Sequence, residues 1–109
     1  MALVPESEAA ARIDLQERFE LILGSTNVYF QPPENRQIQY PCIIYKRDTA
    51  DTTFADNNPY RYEQRYQVTY ISQNPSDLAR MKIAALPTCL FVRHYTVKNL
   101  NHDVFTLYF

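Results

Sequence analysis

The segment Tyr60–Ser72 alternates between two kinds of side chain, and this period of two restricts the fold more than any other feature of the chain. One set comprises Tyr60, Tyr62, Tyr66, Val68 and Tyr70, interrupted by Gln64, and the other comprises Arg61, Glu63, Arg65, Gln67 and Thr69. Such alternation predicts a half-buried antiparallel strand. A row of tyrosines suits the rim of a core or a protein interface, whereas mixed charges suit contact with protein surfaces or with water.

The chain length predicts a single domain, residues 1–109, with one packed core. Hydrophobic residues make up 46% of the sequence and charged residues 21%, as in ordinary globular proteins. The formal net charge is -1, so composition supplies no electrostatic reason for binding nucleic acid or a membrane.

The first residues, Met1–Glu6, lack the basic residues and the apolar run of a signal peptide. No later apolar stretch approaches the roughly 20 residues that a membrane-spanning helix needs. We therefore expect a protein that is made and kept in the cytosol.

Gly24 is the only glycine of the chain. The dinucleotide fingerprint GxGxxG, the phosphate-binding P-loop and the nucleophile elbow GxSxG each need several glycines, so the sequence excludes all three. The two cysteines, Cys42 and Cys89, open apolar strand-like runs and are predicted to be small buried residues. A disulfide or metal pair is the alternative, but no CxxC spacing or histidine partner favours it.

Two segments have helical patterns. In Glu6–Leu23 apolar residues recur every fourth position, and Gly24 follows as the expected helix stop. Asn74 is the predicted cap of a second helix, with Pro75 at its first position and Pro87 after its end. Its predicted buried stripe consists of Leu78, Met81, Ala85 and Leu86.

The remaining patterns predict strands. They cover Asn27–Gln31, a strand opened by Pro41 with Cys42–Tyr45 and a polar extension Lys46–Thr49, then Tyr60–Ser72, Cys89–Lys98 and Val104–Phe109. Asn57-Asn58-Pro59 is the predicted reversal of a long hairpin, and 99–103 is the predicted turn before the last strand. The expected fold is α+β, a mostly antiparallel sheet of about four to five strands with two helices on one face.

No residue pattern predicts catalysis. His94 and His102 stand at no ligand spacing from each other or from a cysteine, and neither has a partnered nucleophile or an orienting acid. His94 is expected at the rim of the core or within it, and His102 in a solvated turn. We expect a protein that is not an enzyme, with no catalytic, metal-binding or cofactor-binding residues and no cofactor.

Three acidic residues of the long hairpin, Asp48, Asp51 and Asp56, lie close together in sequence, beside Asn57 and Asn58. Oxygen ligands in a cluster suit a hard cation, but the spacing lacks the DxDxDG pattern. The same residue types build any polar turn, and this interpretation is favoured.

A second alternative concerns single-stranded nucleic acid. Lys46, Arg47, Arg61 and Arg65 accompany the tyrosines, and aromatic rings with arginines form binding platforms for unpaired bases. The arginines and tyrosines of Tyr60–Ser72 occupy opposite faces, however, and Glu63 interrupts the basic row. The pattern makes a small nucleic-acid-binding module the weaker interpretation.

Three short motifs resemble a known family. They are Tyr40-Pro41-Cys42-Ile43-Ile44-Tyr45, Thr53-Phe54-Ala55-Asp56-Asn57-Asn58-Pro59-Tyr60 and Tyr66-Gln67-Val68-Thr69-Tyr70-Ile71. With the order of the predicted elements over nearly the whole chain, they resemble the small tail terminator or tail completion proteins of long-tailed, siphovirus-type bacteriophages. Tyr40 departs from that pattern, since such chains often have Leu there.

The resemblance implies a virion structural protein that is in the host cytoplasm during assembly. It implies a homo-oligomeric ring, usually a hexamer, which caps the tail tube and presents a surface to the head–tail connector or stopper protein. Double-stranded DNA would pass through the lumen without specific binding, which a near-neutral composition allows. Another neck or head-completion protein remains the alternative.

A closed ring needs two different patches, one on each side of a subunit interface. The candidates are the polar hairpin end Arg47–Arg61 and the charged face of Tyr60–Ser72, and a merely solvated face is the alternative. The candidate interface residues are Arg47, Asp48, Asp51, Phe54, Asp56, Asn57, Asn58, Tyr60, Arg61, Glu63, Arg65 and Gln67.

Overall fold

A computed structural model describes the backbone of residues 5–55, 58–74 and 76–109, and the side chains of 10–49, 64–74 and 76–109. The elements are α1 (Pro5–Leu23), β1 (Val28–Phe30), β2 (Cys42–Ala55), β3 (Asn58–Ser72), α2 (Leu78–Ala84), β4 (Leu90–Val97) and β5 (Leu100–Tyr108). The strands form one sheet in the order β1-β2-β3-β5-β4. Only β1 runs parallel to its neighbour; the other described pairs are antiparallel. The predicted α+β fold is confirmed.

Both helices pack on the same face of the sheet, as predicted. From α1, Leu15 and Phe19 are buried there, and from α2, Ala79 and Ile83. The sheet contributes Val28, Ile43, Tyr45, Tyr66, Val68, Tyr70, Phe105 and Leu107 to the same cluster. Apolar residues at alternate strand positions thus meet apolar residues at helical spacing, which buries both patterns in one core.

Tyr45 lies at the centre of this core. Its ring centroid is 5.2 Å from that of Phe19, 5.0 Å from Phe30 and 6.0 Å from Tyr66, within the range of favourable aromatic pairs. Its buried hydroxyl donates to Oε1 of Gln16 at 2.6 Å. A tyrosine is tolerated in this interior because its one polar atom has a partner.

The first helix ends where the sequence predicts. Gly24 has a φ of 75°, and its backbone N–H donates to the carbonyl oxygen of Glu20 at 2.8 Å. A left-handed residue after the last helical turn closes the helix, and glycine adopts that conformation without the Cβ clash that other residues meet.

The second helix begins later than predicted. Asp77, not Asn74, is the N-cap, and its carboxylate accepts from the backbone N–H of Ala79. The predicted stripe is wrong for Leu78 and Met81, which are 67% and 59% exposed, and for Ala85, which is the exposed C-cap; Leu86 does pack against the core. Ala79 and Ile83 are buried instead; they are four residues apart, so they share one face of the helix, and both belong to the core cluster. Pro75 lies outside the described residues.

The hairpin between β4 and β5 is tighter than predicted. Lys98 and Asn99 alone connect the strands, and both have positive φ, 52° and 64°. Positive φ at both central residues is the requirement of a two-residue type I′ turn, whose twist matches that of the flanking strands. The last strand therefore starts at Leu100 rather than Val104, and His102 lies in it instead of in a turn.

Candidate interaction surface

The sheet extends into a two-stranded arm. β1 pairs with β2 only at residues 43–45, and β5 pairs with β3 only from Arg65 onwards. Within the described residues, β2 from Ala50 and β3 up to Glu63 therefore pair only with each other, whereas the carbonyl oxygen of Gln64 also accepts from the backbone N–H of Phe109 at 3.2 Å. We call residues 46–55 and 58–64 the arm. The predicted long hairpin is confirmed. The molecule is elongated and measures 52 × 24 × 24 Å.

A bulge marks the base of the arm. Arg47 is opposite Tyr66 and Ala50 is opposite Gln64, so Asp48 and Thr49 share the space facing the single residue Arg65. An extra residue on one strand bends the strand and leaves a backbone group without its ladder partner. At this bulge the side-chain amide of Gln64 supplies hydrogen bonds to backbone groups: it donates to the carbonyl oxygens of Thr49 at 3.1 Å and Arg65 at 2.8 Å.

The same bulge brings two predicted interface residues together. Nε of Arg65 donates to Oδ2 of Asp48 at 3.0 Å, and both side chains are partly exposed. A pair of this exposure contributes about 0–1 kcal/mol to stability, so it fixes local geometry more than it holds the fold. Asp48 thus has a cationic partner in Arg65.

The other predicted interface residues lie along the arm or at its base. Arg47 and Gln67 are at the base, where the backbone N–H of Arg47 also donates to Oε1 of Gln31 at 3.2 Å. On the arm, Asp51 is opposite Glu63, Thr53 opposite Arg61, Phe54 opposite Pro59 and Ala55 opposite Asn58, with Tyr60 at a register shift. Asn58 and Pro59 are strand residues, not the predicted reversal. Asp56 and Asn57 lie outside the described residues.

The alternation of β3 is confirmed over residues 64–70. Gln64, Tyr66, Val68 and Tyr70 are buried, while Arg65, Gln67 and Thr69 are half-buried. Tyr66 and Tyr70 are each 1% exposed, so they belong to the core and not to its rim or to an interface. Rings buried to this degree cannot stack on bases, which removes these two tyrosines from the nucleic-acid alternative.

Sequence reasoning missed a second surface, the edge strand β4. All eight of its residues are exposed, and β4 pairs only with β5 among the described strands. Its exposed apolar side chains are Leu90 (68%), Phe91 (57%), Val92 (51%), Val97 (47%) and Tyr95 (39%). The signal available in the sequence was a strand-like run, residues 90–97, that has apolar residues in both alternating sets and contains neither proline nor acid.

Both histidines belong to this surface, which corrects their predicted places. His94 is exposed on β4, with Nε2 3.2 Å from Oδ1 of Asn101. His102 is half-buried on β5, and its ring stacks on that of Tyr95 at 4.6 Å. Arg93 lies on the same strand, with its guanidinium 5.5 Å from the Tyr95 ring centroid. With Lys98 exposed at the strand end, the β4 edge is cationic.

Neither cysteine is activated for chemistry. Both are free; Cys42 is buried as predicted, and Cys89 is only half-buried. Burial raises the pKa of the Cys42 thiol to about 12 and that of Cys89 to about 11. Both therefore stay protonated at neutral pH, whereas a nucleophilic or metal-ligating cysteine is a thiolate.

The described residues contain no cluster of three or more His, Cys, Asp or Glu side chains arranged to hold a metal ion. A shallow pocket of about 460 Å³ lies between the loop before β2 and the end of β3, and includes Tyr40, Ser72 and Asp77. Asp77 is already engaged there, because it accepts from the Tyr70 hydroxyl at 2.5 Å and from the Ala79 backbone. The hydrogen bond from Tyr70 is the main cause of the lowered pKa of Asp77.

Comparison with models of known protein families gives no match, and comparison with curated protein sequences gives no significant match. In the part of the chain that the structure describes, no helix has both the length and the apolar composition to cross a bilayer.

Proposed function

We propose that this protein is a structural protein of a long-tailed bacteriophage virion. It forms a homo-oligomeric ring, a hexamer, at the head-proximal end of the tail tube. The ring ends tube growth and joins the tail to the head connector. Its partners are further copies of itself, the tail tube protein and the connector protein, and double-stranded DNA passes through its lumen.

One observation carries this proposal: the sheet of the described strands has two unlike edges on opposite sides, and neither pairs with a further described strand. One edge of the sheet is formed by β1 and, beyond the end of β1, by the part of β2 that belongs to the arm. The other edge is β4. A closed ring is built from heterologous contacts, in which one patch of a subunit meets a different patch of the next. A molecule with two different open edges supplies such a pair of patches.

The motifs that carry the family resemblance contribute to the core. Their tyrosines Tyr45, Tyr66 and Tyr70 are buried in the core, so these motifs specify the fold. The proposed recognition surfaces are instead the arm, whose outer backbone edge pairs with no described strand beyond Arg47, and the β4 edge with its exposed side chains. The action is geometric: docking on the last ring of the tube blocks further addition, and the opposite face receives the connector.

The test is the mass of the purified protein in solution, measured with and without isolated tail tubes of the same phage. We expect a ring, or a monomer that becomes a ring only at tube ends. Tails made without heads should carry the protein, because a terminator follows the tail. A monomer indifferent to tubes, or a protein that co-purifies with heads alone, would contradict tail termination and favour another neck role.

A further inference from the structure

Among the described strands, none pairs with the outer edge of β4. Edge strands carry a row of backbone N–H and C=O groups without ladder partners, and proteins commonly shield them with prolines, short lengths, charges or bulges. β4 has eight residues and no proline, and its pairing with β5 has one bulge, between Phe91 and Arg93. Its five exposed apolar side chains belong to both alternating sets, so apolar groups are exposed on both faces of this strand, and exposed apolar surface commonly marks interaction sites.

The charges of β4 disfavour pairing with the β4 of another copy. Arg93 lies near the middle of the strand. Antiparallel pairing about a two-fold axis through this position would place the Arg93 side chains of the two copies opposite each other, and like charges directly opposite one another are destabilising. The partner that fits is a strand with its own open edge and with acidic residues near the middle.

The arm of this chain is such a strand. β1 reaches only as far as Tyr45, so among the described strands none pairs with the outer edge of β2 at Ala50–Ala55. Asp51 lies in that stretch and is the register partner of Glu63. Two acids at directly opposed positions disfavour each other in an isolated strand pair, and a cation from a neighbour relieves this.

We propose that β4 of one copy pairs, strand to strand, with Ala50–Ala55 of β2 in the arm of the next copy, so that Arg93 lies opposite Asp51. This inference rests on the proposed ring and identifies its subunit contact. Within one sheet the neighbouring strands β4, β5, β3 and β2 alternate in direction, so β4 runs opposite to β2. Rotation about a ring axis parallel to the strands does not change strand direction. β4 of one copy therefore runs antiparallel to β2 of the next. The contact joins opposite edges and is therefore heterologous.

Cross-linking tests the contact. With Arg93 opposite Asp51 in antiparallel register, Val92 lies opposite Thr52. One chain carries Thr52→Cys and another Val92→Cys, both in a Cys89→Ser background, and Cys42 stays buried. Under mild oxidation, with and without tail tubes, we expect a disulfide-linked dimer when the two chains are mixed. Dimers from Val92→Cys alone would mean β4–β4 pairing and overturn the proposal, as would the absence of any cross-linked dimer.

Charge exchange tests the same contact without cysteines. Arg93→Glu and Asp51→Lys should each weaken self-association at least about tenfold, and the two together should restore most of it, since the reversed pair again attracts. Lys82→Glu, at an exposed position on α2, is the control for an equal charge change and should assemble like the parent chain. Unimpaired assembly of Arg93→Glu would refute the contact.

The two proposals can fail separately. Rings at tube ends without the Thr52–Val92 cross-link would leave tail termination standing and refute this contact. Cross-linked assemblies that ignore tail tubes would support the contact and refute tail termination.

Discussion

Gln64 donates its side-chain amide to the carbonyl oxygen of Thr49 across the base of the arm, at 3.1 Å. The same nitrogen lies 2.8 Å from the carbonyl oxygen of Arg65. Gln64 interrupts a row of aromatic and aliphatic residues, and it is as buried as they are, at 4% exposure. Gln64 therefore connects the core to the arm, because its buried side-chain amide supplies hydrogen-bond donors that the bulged strand pair lacks.

Gln64→Leu should destabilise the protein by about 1–3 kcal/mol, because it removes the buried amide that donates to the carbonyl oxygens of Thr49 and Arg65 while keeping the side-chain volume similar. Urea unfolding measures the change. Gln67→Leu, on the half-buried opposite face of β3, is the matched control and should change the unfolding free energy by only about 0.5 kcal/mol. Equal losses for the two variants would contradict the role assigned to Gln64.

Tyr70→Phe should reduce stability by about 1–2 kcal/mol near neutral pH, because it removes a hydrogen bond to a carboxylate. The pKa of Asp77 is lowered, chiefly by the Tyr70 hydroxyl, so its contribution is present above its ordinary pKa of 3.8 and is lost as pH falls through the lowered folded value. The difference between Tyr70→Phe and the parent chain should thus shrink in acid.

Asp77→Asn separates titration from capping. Asparagine remains a good N-cap residue, so the helix start should persist while this part of the acid dependence disappears. Unfolding free energies measured across the acid range give the answer. A cost of Tyr70→Phe that stays constant down to strongly acidic pH would speak against the linkage.

Charge changes at sequence positions 56 and 58, between β2 and β3 and at the start of β3, should spare folding and impair tail joining. Asn58→Lys introduces a charge where β3 begins opposite Ala55, and Asp56→Lys reverses a charge two residues earlier. We expect unfolding free energies within about 0.5 kcal/mol of the parent value and a reduced yield of complete virions. Gln37→Lys, in the exposed loop before β2, is the control. An unchanged virion yield for both arm variants would refute this prediction.

Leu90→Lys should weaken self-association without destabilising the fold. Leu90 is 68% exposed on the edge strand, and a lysine there blunts an edge that would otherwise accept another strand. Leu21→Lys is the matched control, because Leu21 is 82% exposed on α1, away from the sheet edge. Sedimentation of the two variants provides the comparison, and equal effects would argue against a special role for β4.

The buried faces of β3 and α1 are predictable from local sequence patterns. The period of two in residues 64–70 and the four-residue period of α1 each report which side of an element faces the core, and both are confirmed. The start of α2 was wrong because two capping residues compete within a few positions. Hydrogen bonds from Ala79 and Tyr70 favour Asp77 over Asn74 as the cap. Because Tyr70 is on β3, a contact between two different elements helps to decide where the helix begins.

The sequence by itself determined the α+β class, the long hairpin and the buried row of β3, because alternation and helical spacing are properties of neighbouring residues. Only the tertiary structure decided that Gln64 stabilises a bulge, that His102 stacks on Tyr95 and that β4 is an exposed edge. Strand order and register depend on residues far apart in the chain. Whether an apolar strand is covered or open therefore becomes visible only when the whole sheet is assembled.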